Sequence, residues 1–304
     1  QVAWGESNAI AFCNSVLGAR TNRYGDFLDV AAAVTGSVPL AGLHRTEQRR
    51  ATLVLRLAAD VPTALRDADE LAPVLGIVLG QRAGSAVAAI AGLPAGQSED
   101  RLKAIAAAAA SSGAVAMFHV VGSTPEAPTL AAALHAQAGR DGPDGLDGSP
   151  EFAGEEITLA DLRAARDALT MAALDMPLAA VSLGTPHASA TELARIADLL
   201  AGRPVHAGVE LLVSTARDTL DRAEEHGIAG RLRASGVTLL VDTCSYLVPV
   251  LRTTGGAIMS NSAKWAWYAP GNVGARAIIG STSDCIESAV GGRVLRDDRL
   301  WGSS

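Results

Sequence analysis

Aromatic side chains are scarce in this chain: Phe, Trp and Tyr together make up 4% of 304 residues. The interior therefore has to be closed by Ala, Val, Leu and Ile, with helices packed closely. Lysine is scarcer still, with only Lys103 and Lys264 against 23 arginines. In so biased a composition, a lysine among special residues points to ammonium chemistry; Lys103 reads as a surface helix residue. Cysteine is limited to Cys13, Cys244 and Cys285, too few and too scattered for a disulfide scaffold, and suited to a reducing cytosol. No apolar run reaches the roughly 18 residues of a membrane span. The net charge is −7 and no Lys/Arg run is present, which argues against nucleic acid and anionic membrane as partners. GxGxxG, the Walker loop, HExxH, GxSxG and CxxC are all missing, which counts against a nicotinamide dehydrogenase, a P-loop enzyme, a zincin and an α/β-hydrolase.

Hydrophobic residues make up 49% of the chain and charged residues 19%, the mix of a globular protein with a sizeable core. Apolar, β-branched runs predict strands at Ala86–Leu93, Ala114–Val121, Leu178–Leu183, Val205–Val213, Val237–Val241, Ala257–Met259 and Ala275–Ile279. Helical spacing predicts helices at Thr63–Leu79, Asp100–Ala110, Ala127–Ala138, Leu159–Leu174, Thr191–Leu200, Thr215–His226 and Asp284–Val290. Such alternation is that of an α/β fold: doubly wound, mainly parallel sheets flanked by helices. Ser189 to Glu192 has the form of a capping box, and Thr124-Pro125 that of a helix start. Residues 139–150, rich in Gly, Asp and Pro, interrupt the pattern as a surface loop or subdomain connection. The first residue is Gln1 and functional-looking polar residues begin at Glu6, so the chain is expected to start inside a longer protein.

Ligands of open α/β sheets bind beyond the carboxyl ends of the strands. Four exits here are rich in small and polar residues: His119 to Glu126, Ser182 to Ser189, Asp242 to Ser245 and Ser260 to Lys264. Each runs into a helix start, whose N–H groups and dipole favour a carboxylate or phosphate. A shared pocket for a small anionic substrate is the expectation. The opening segment, with Glu6, Ser7, Asn8, Asn14, Arg20, Asn22 and Arg23, is dense in groups that hydrogen-bond carboxylates. The competing role for each of these is structural, capping helices and satisfying buried loops. His119 and His187 suit acids, bases or ligands, or else are satisfied structural histidines. Cys244 suits a metal ligand or a small buried hydrophobe, and Cys285, near a helix start, a reactive thiolate or a packing residue.

The run from Trp4 to Asp26 resembles the catalytic, or large, domain of aconitase X, the divergent branch of the aconitase superfamily. The likeness continues through Ser111 to His119, Gly122 to Glu126, Gly184 to His187, Asp242 to Cys244, Ser260 to Lys264 and Tyr268 to Gly271, almost the whole chain. The resemblance implies a partial catalytic domain over residues 1–304. It implies a hydro-lyase in which an iron–sulfur cluster acts as Lewis acid, with a swivel domain or small subunit closing the site. Single-chain bacterial members resemble dehydratases of cis-3-hydroxy-L-proline, and two-subunit archaeal members act on mevalonate 5-phosphate. Two-subunit members carry Cys where this chain has Thr185, so the proline branch is the better match; a non-catalytic binding subunit is the third alternative. The resemblance assigns Cys244 and, more loosely, Cys285 as metal ligands. It gives Lys264, His187 and Glu6 catalytic roles, the last two as candidate bases. Substrate binding falls to Ser7, Asn8, Asn22, Arg23, His119, Asn261 and Ser262. The expected compartment is the cytoplasm.

Overall fold

The computed structural model describes residues 1–25, 27–134, 154–247, 250–252 and 254–302; the expected connection at 139–150 lies outside the described residues. The chain divides into two compact units, Gln1–Leu162 and Arg163–Ser304. Each is built on its own parallel sheet with helices alongside, the α/β architecture that the alternating pattern predicts.

In the first unit the order is α1 (Ser7–Ser15), α2 (Leu28–Thr35), β1 (Leu53–Leu57), α3 (Thr63–Asp67), α4 (Leu71–Ala83), β2 (Ala88–Ala91), α5 (Glu99–Ser112), β3 (Phe118–Val120), α6 (Leu130–Leu134) and β4 (Glu155–Ile157). The strands lie in the order β3-β2-β1-β4, parallel throughout. Helix α7 (Leu159–Ala168) carries the chain into the second unit. The shortage of aromatics shows in how α4 meets α5. A Cβ at Gly76 would stand 2.6 Å from the Cβ of Ala108, and one at Gly80 2.1 Å from Ser112 Oγ. Only glycine lets these helices approach so closely. The expected helix over Thr63–Leu79 is broken at Ala68–Glu70. Thr124 does not open a helix. Its hydroxyl accepts from the Val120 N–H at 3.0 Å within a turn, and Thr129 caps α6 instead, accepting from the Ala132 N–H at 3.1 Å.

In the second unit the order is β5 (Leu178–Ala188), α8 (Ala190–Leu200), β6 (Glu210–Thr215), α9 (Arg217–Glu225), α10 (Ile228–Ala234), β7 (Val237–Val241), β8 (Ala257–Ser260), α11 (Ala263–Val273), β9 (Arg276–Ile279) and α12 (Thr282–Gly291). Its strands run in the order β7-β6-β5-β8-β9. Val181, Leu183, Leu211, Val213 and Ile278 join Leu193, Ile196 and Ile286 of the helices in one core; each fully buried aliphatic side chain is worth about 1.5–3 kcal/mol. The capping box of α8 forms as expected, with the Glu192 N–H donating to Ser189 Oγ at 3.1 Å and the Ser189 N–H to Glu192 Oε2 at 2.9 Å. Among the described residues no helix is long and apolar enough to cross a membrane.

Both sheets reverse their strand order once. From β5 the chain adds β6 and β7 on one side, then β8 and β9 on the other, so a crevice opens between the carboxyl ends of β5 and β8. The corresponding point of the first sheet lies between β1 and β4.

Candidate functional site

Three of the four predicted strand exits, those of β5, β7 and β8, come together in the second unit, whereas His119 to Glu126 follows β3 in the first. Strand β5 slips register against β6 between Leu183 and Ala188. Gly184 makes the slip possible, because at φ +80° a Cβ would stand 2.0 Å from the Ser214 carbonyl oxygen. Thr185, Pro186 and His187 follow at the strand's end. Across the crevice, β8 ends at Ser260 and α11 begins, capped by Ser262, whose Oγ accepts from the Trp265 N–H at 3.0 Å. The same Ser262 hydroxyl donates to the Thr185 carbonyl. Ser260 Oγ donates to the Ser182 carbonyl at 2.7 Å and accepts from the Ser262 N–H at 3.1 Å. Ser245 ties in the exit of β7: its Oγ lies 2.6 Å from Ser182 Oγ and accepts from the Trp265 indole at 2.8 Å. Small hydroxyls thus lock three strand ends and the start of α11 together.

The groups placed on this frame are chemically distinct. Lys264, 8% exposed, lies in the first turn of α11. A buried ammonium at the positive end of a helix creates a field that favours an anion. His187 Nε2 stands 3.2 Å from the Thr243 carbonyl. A proton on Nε2 in that contact leaves Nδ1 as the acceptor nitrogen of the neutral ring. Cys244 is half-buried between Thr243 and Ser245. Asn261 is nearby in sequence, but its Nδ2 donates to Thr282 Oγ1 at 3.0 Å, joining α11 to α12.

Cys285 lies on α12. It is wholly buried among the apolar residues of the second core. Burial, reinforced by the Asp284 charge, pushes its thiol well above the ordinary value. Burial likewise raises the pKa of Cys13. In the metal-free full-length protein, iodoacetamide is expected to alkylate Cys244 and to reach Cys13 and Cys285 only after denaturation. Peptide mass spectrometry reads the result; rapid native alkylation of Cys285 would overturn its placement.

In the first unit most of the predicted binding residues bond to the fold itself. Glu6 caps α1, accepting from the Ala9 N–H at 2.9 Å, and Ser7 and Asn8 form that helix's first turn. Asn22 donates to the Ala41 carbonyl at 2.8 Å and accepts from the Leu43 N–H at 2.7 Å. Arg23 donates to the Gly113 carbonyl at 3.2 Å. His119 is fully buried on β3, with Nε2 2.8 Å from the Arg49 carbonyl. Arg49 is the residue that sequence reasoning missed: fully buried, it holds the Glu126 carboxylate with Nε at 2.9 and 3.0 Å. The carboxyl end of this sheet is filled by Arg66, which donates to the carbonyls of Ala58, Val61 and Gly92. The second unit is the better candidate for ligand chemistry.

The cluster implied by the resemblance meets only part of its needs here. Among the described residues no group of three or more His, Cys, Asp or Glu side chains gathers as a metal site. Cys244 is the half-buried thiol at a strand exit, and Cys285 lies in the core.

Three family models match the chain in order: the aconitase X first domain over residues 1–47, the second over 51–143 and the third over 178–291. The chain is 40% identical over 302 residues to the cis-3-hydroxy-L-proline dehydratase of Pseudomonas aeruginosa, an overlap of 96% of this chain and 48% of that one. It is 38% identical over 281 residues to the phosphomevalonate dehydratase large subunit of Methanothermobacter thermautotrophicus, covering 91% of this chain and 63% of that one. The crystal structure of Thermococcus kodakaraensis aconitase X in its holo form matches with a TM-score of 0.77 at 29% identity, over 95% of this chain and 68% of that one. The chain therefore spans about half the length of the curated proline dehydratase it resembles. With all three domains represented in sequence order on a matching α/β frame, the chain belongs to the aconitase X family.

Proposed function

We propose that this chain is the catalytic part of a hydro-lyase that removes water from cis-3-hydroxy-L-proline. The observation that carries the reading is the charge of the β5/β8 crevice. Lys264 is its buried cation, while Arg217, at the exit of β6, is largely exposed and paired with Asp242 at 2.9 Å. A buried ammonium at a helix N-terminus suits a substrate carboxylate. The identity to proline dehydratases across nearly the whole chain, 40% and 39%, points the same way.

The reaction takes the proton from C2 and expels hydroxide from C3. Lys264 and the first N–H groups of α11 hold the carboxylate and stabilise the enolate-like charge that builds as the proton leaves. His187, with Nδ1 as its basic nitrogen, is the better candidate base; Glu6 is engaged as a helix cap. An iron–sulfur cluster, when bound, would supply a Lewis acid for the departing hydroxyl. Cys244 would be a ligand that this chain contributes to it. A swivel domain or small subunit would close the crevice, as the name "large subunit" of the archaeal relatives suggests. The reducing cytoplasm is the compartment proposed.

The test is an assay of the full-length gene product, purified without oxygen, on cis-3-hydroxy-L-proline and on mevalonate 5-phosphate in parallel. The expected result is Δ1-pyrroline-2-carboxylate from the first and nothing from the second. Cys244→Ser should leave the melting temperature in place and lower both bound iron and turnover. Turnover of the phosphate substrate alone would overturn the proposal.

A further inference from the structure

Two hydroxyls in the second unit are buried with no hydrogen-bond partner: Thr185 Oγ1 and Ser214 Oγ. The residues are 2% and 1% exposed. Their neighbours are treated differently. Ser182, Ser245, Ser260 and Ser262 all bond within the fold, and Thr215 Oγ1 donates to the Ala188 carbonyl at 2.7 Å. A buried hydroxyl left unmatched destabilises a protein, and native structures hold few of them. At position 185 valine would fill the same volume without that cost. Two such groups in one place therefore call for a partner from outside the fold.

Their placement says where that partner sits. Gly184 brings β5 into backbone contact with Ser214, so Ser214 lies beside the residue that precedes Thr185. The Thr185 carbonyl in turn accepts from Ser262, the cap of α11. Thr185 thus stands at the end of β5 against the cap of the helix that carries Lys264, with Ser214 on the neighbouring strand β6. They are neutral, and each both donates and accepts, which matches a neutral oxygen of the same kind rather than a carboxylate. The anion has Lys264 and the helix start.

We propose that Thr185, seconded by Ser214, recognises the ring hydroxyl of the substrate and is a specificity-determining residue of the site. The assignment rests on the dehydratase reading above. A site built to hydrogen-bond a hydroxyl rejects the analogue that lacks it, because its own buried groups are then left unmatched.

The experiment measures binding of cis-3-hydroxy-L-proline and of L-proline, which lacks the hydroxyl, by calorimetry on the full-length protein. The unsubstituted protein is expected to prefer the hydroxylated compound. Thr185→Val should reduce that preference by about tenfold or more, with L-proline affinity unchanged and the melting temperature equal or higher. Thr185→Ser should retain the preference, and Ser214→Ala should weaken it independently, which keeps the test decisive if the valine variant does not fold. A preference that survives in both Thr185→Val and Ser214→Ala would overturn the assignment, as would an equal loss for both compounds; the hydroxyls would then be holding a buried water. Failure of the unsubstituted protein to bind either compound would instead remove the dehydratase reading, and this inference with it.

Discussion

Arg49→Met is expected to cost the first unit about 3–5 kcal/mol, the range for breaking a buried ion pair from one side. The guanidinium is fully buried, while Glu126, which receives it, keeps 25% of its side chain exposed. Nη1 donates to Asn14 Oδ1 at 3.1 Å and to the Leu43 carbonyl at 3.0 Å, and Nη2 to the carbonyls of Asn14 at 2.9 Å and Ala19 at 3.2 Å. Asn14 in turn bonds the carbonyls of Thr21 and Ala116 at 2.9 and 3.0 Å, tying α1 to the approach to β3. Methionine fills the space but leaves these acceptors without a donor. Lysine would restore charge but not the fork that serves acceptors on several sides, so Arg49→Lys should recover only part of the loss. Glu126→Gln should cost less, since its carboxylate already meets water. Urea unfolding followed by amide exchange in α1 and β3 would check this. A loss under about 0.5 kcal/mol, the range of an ordinary surface substitution, would show that the arginine is not the centre of this network.

The second unit was the more legible of the two. Its strands are short apolar runs bounded by glycine and polar turns, and its site follows from where those runs end: Gly184 to His187 and Ser260 to Lys264 flank the one reversal of strand order. The first unit was harder for reasons visible in particular residues. Leu53–Leu57, interior to its sheet, is interrupted by Arg56, and Glu155–Ile157 is an edge strand that opens with two carboxylates. In the opening segment residue types alone do not separate roles. A side chain that grips a backbone carbonyl and one that grips a ligand carboxylate are the same residue types, and only folding distinguishes Asn22 and Arg23 as partners of backbone groups. Arg49 stands among Arg45, Glu47 and Arg50, and nothing in that stretch of sequence marks it as the buried one. For Cys285 the dipole at the start of α12 was visible in the sequence; the apolar core around it was not.

Lys264→Met carries the largest functional effect: about 10²–10³-fold in kcat/KM on cis-3-hydroxy-L-proline, which corresponds to roughly 3–4 kcal/mol and is typical of losing one member of a buried charge contact. The argument begins with composition, since in a chain with 23 arginines a lysine that is 8% exposed in the first turn of a helix is an exception needing a cause. A cation at the positive end of α11 opposes the helix dipole, and taking the charge out of water adds to the cost. The variant should lose affinity for both cis-3-hydroxy-L-proline and L-proline, because both carry the carboxylate. That pattern separates Lys264 from Thr185, whose loss should be felt only by the hydroxylated compound. Lys264→Arg should rescue only in part, since the planar guanidinium presents its donors in a different shape from the ammonium. Were Lys264→Met to bind both compounds normally and turn over at the unsubstituted rate, the carboxylate would sit elsewhere. The crevice between β5 and β8 would then lose its claim to be the substrate site.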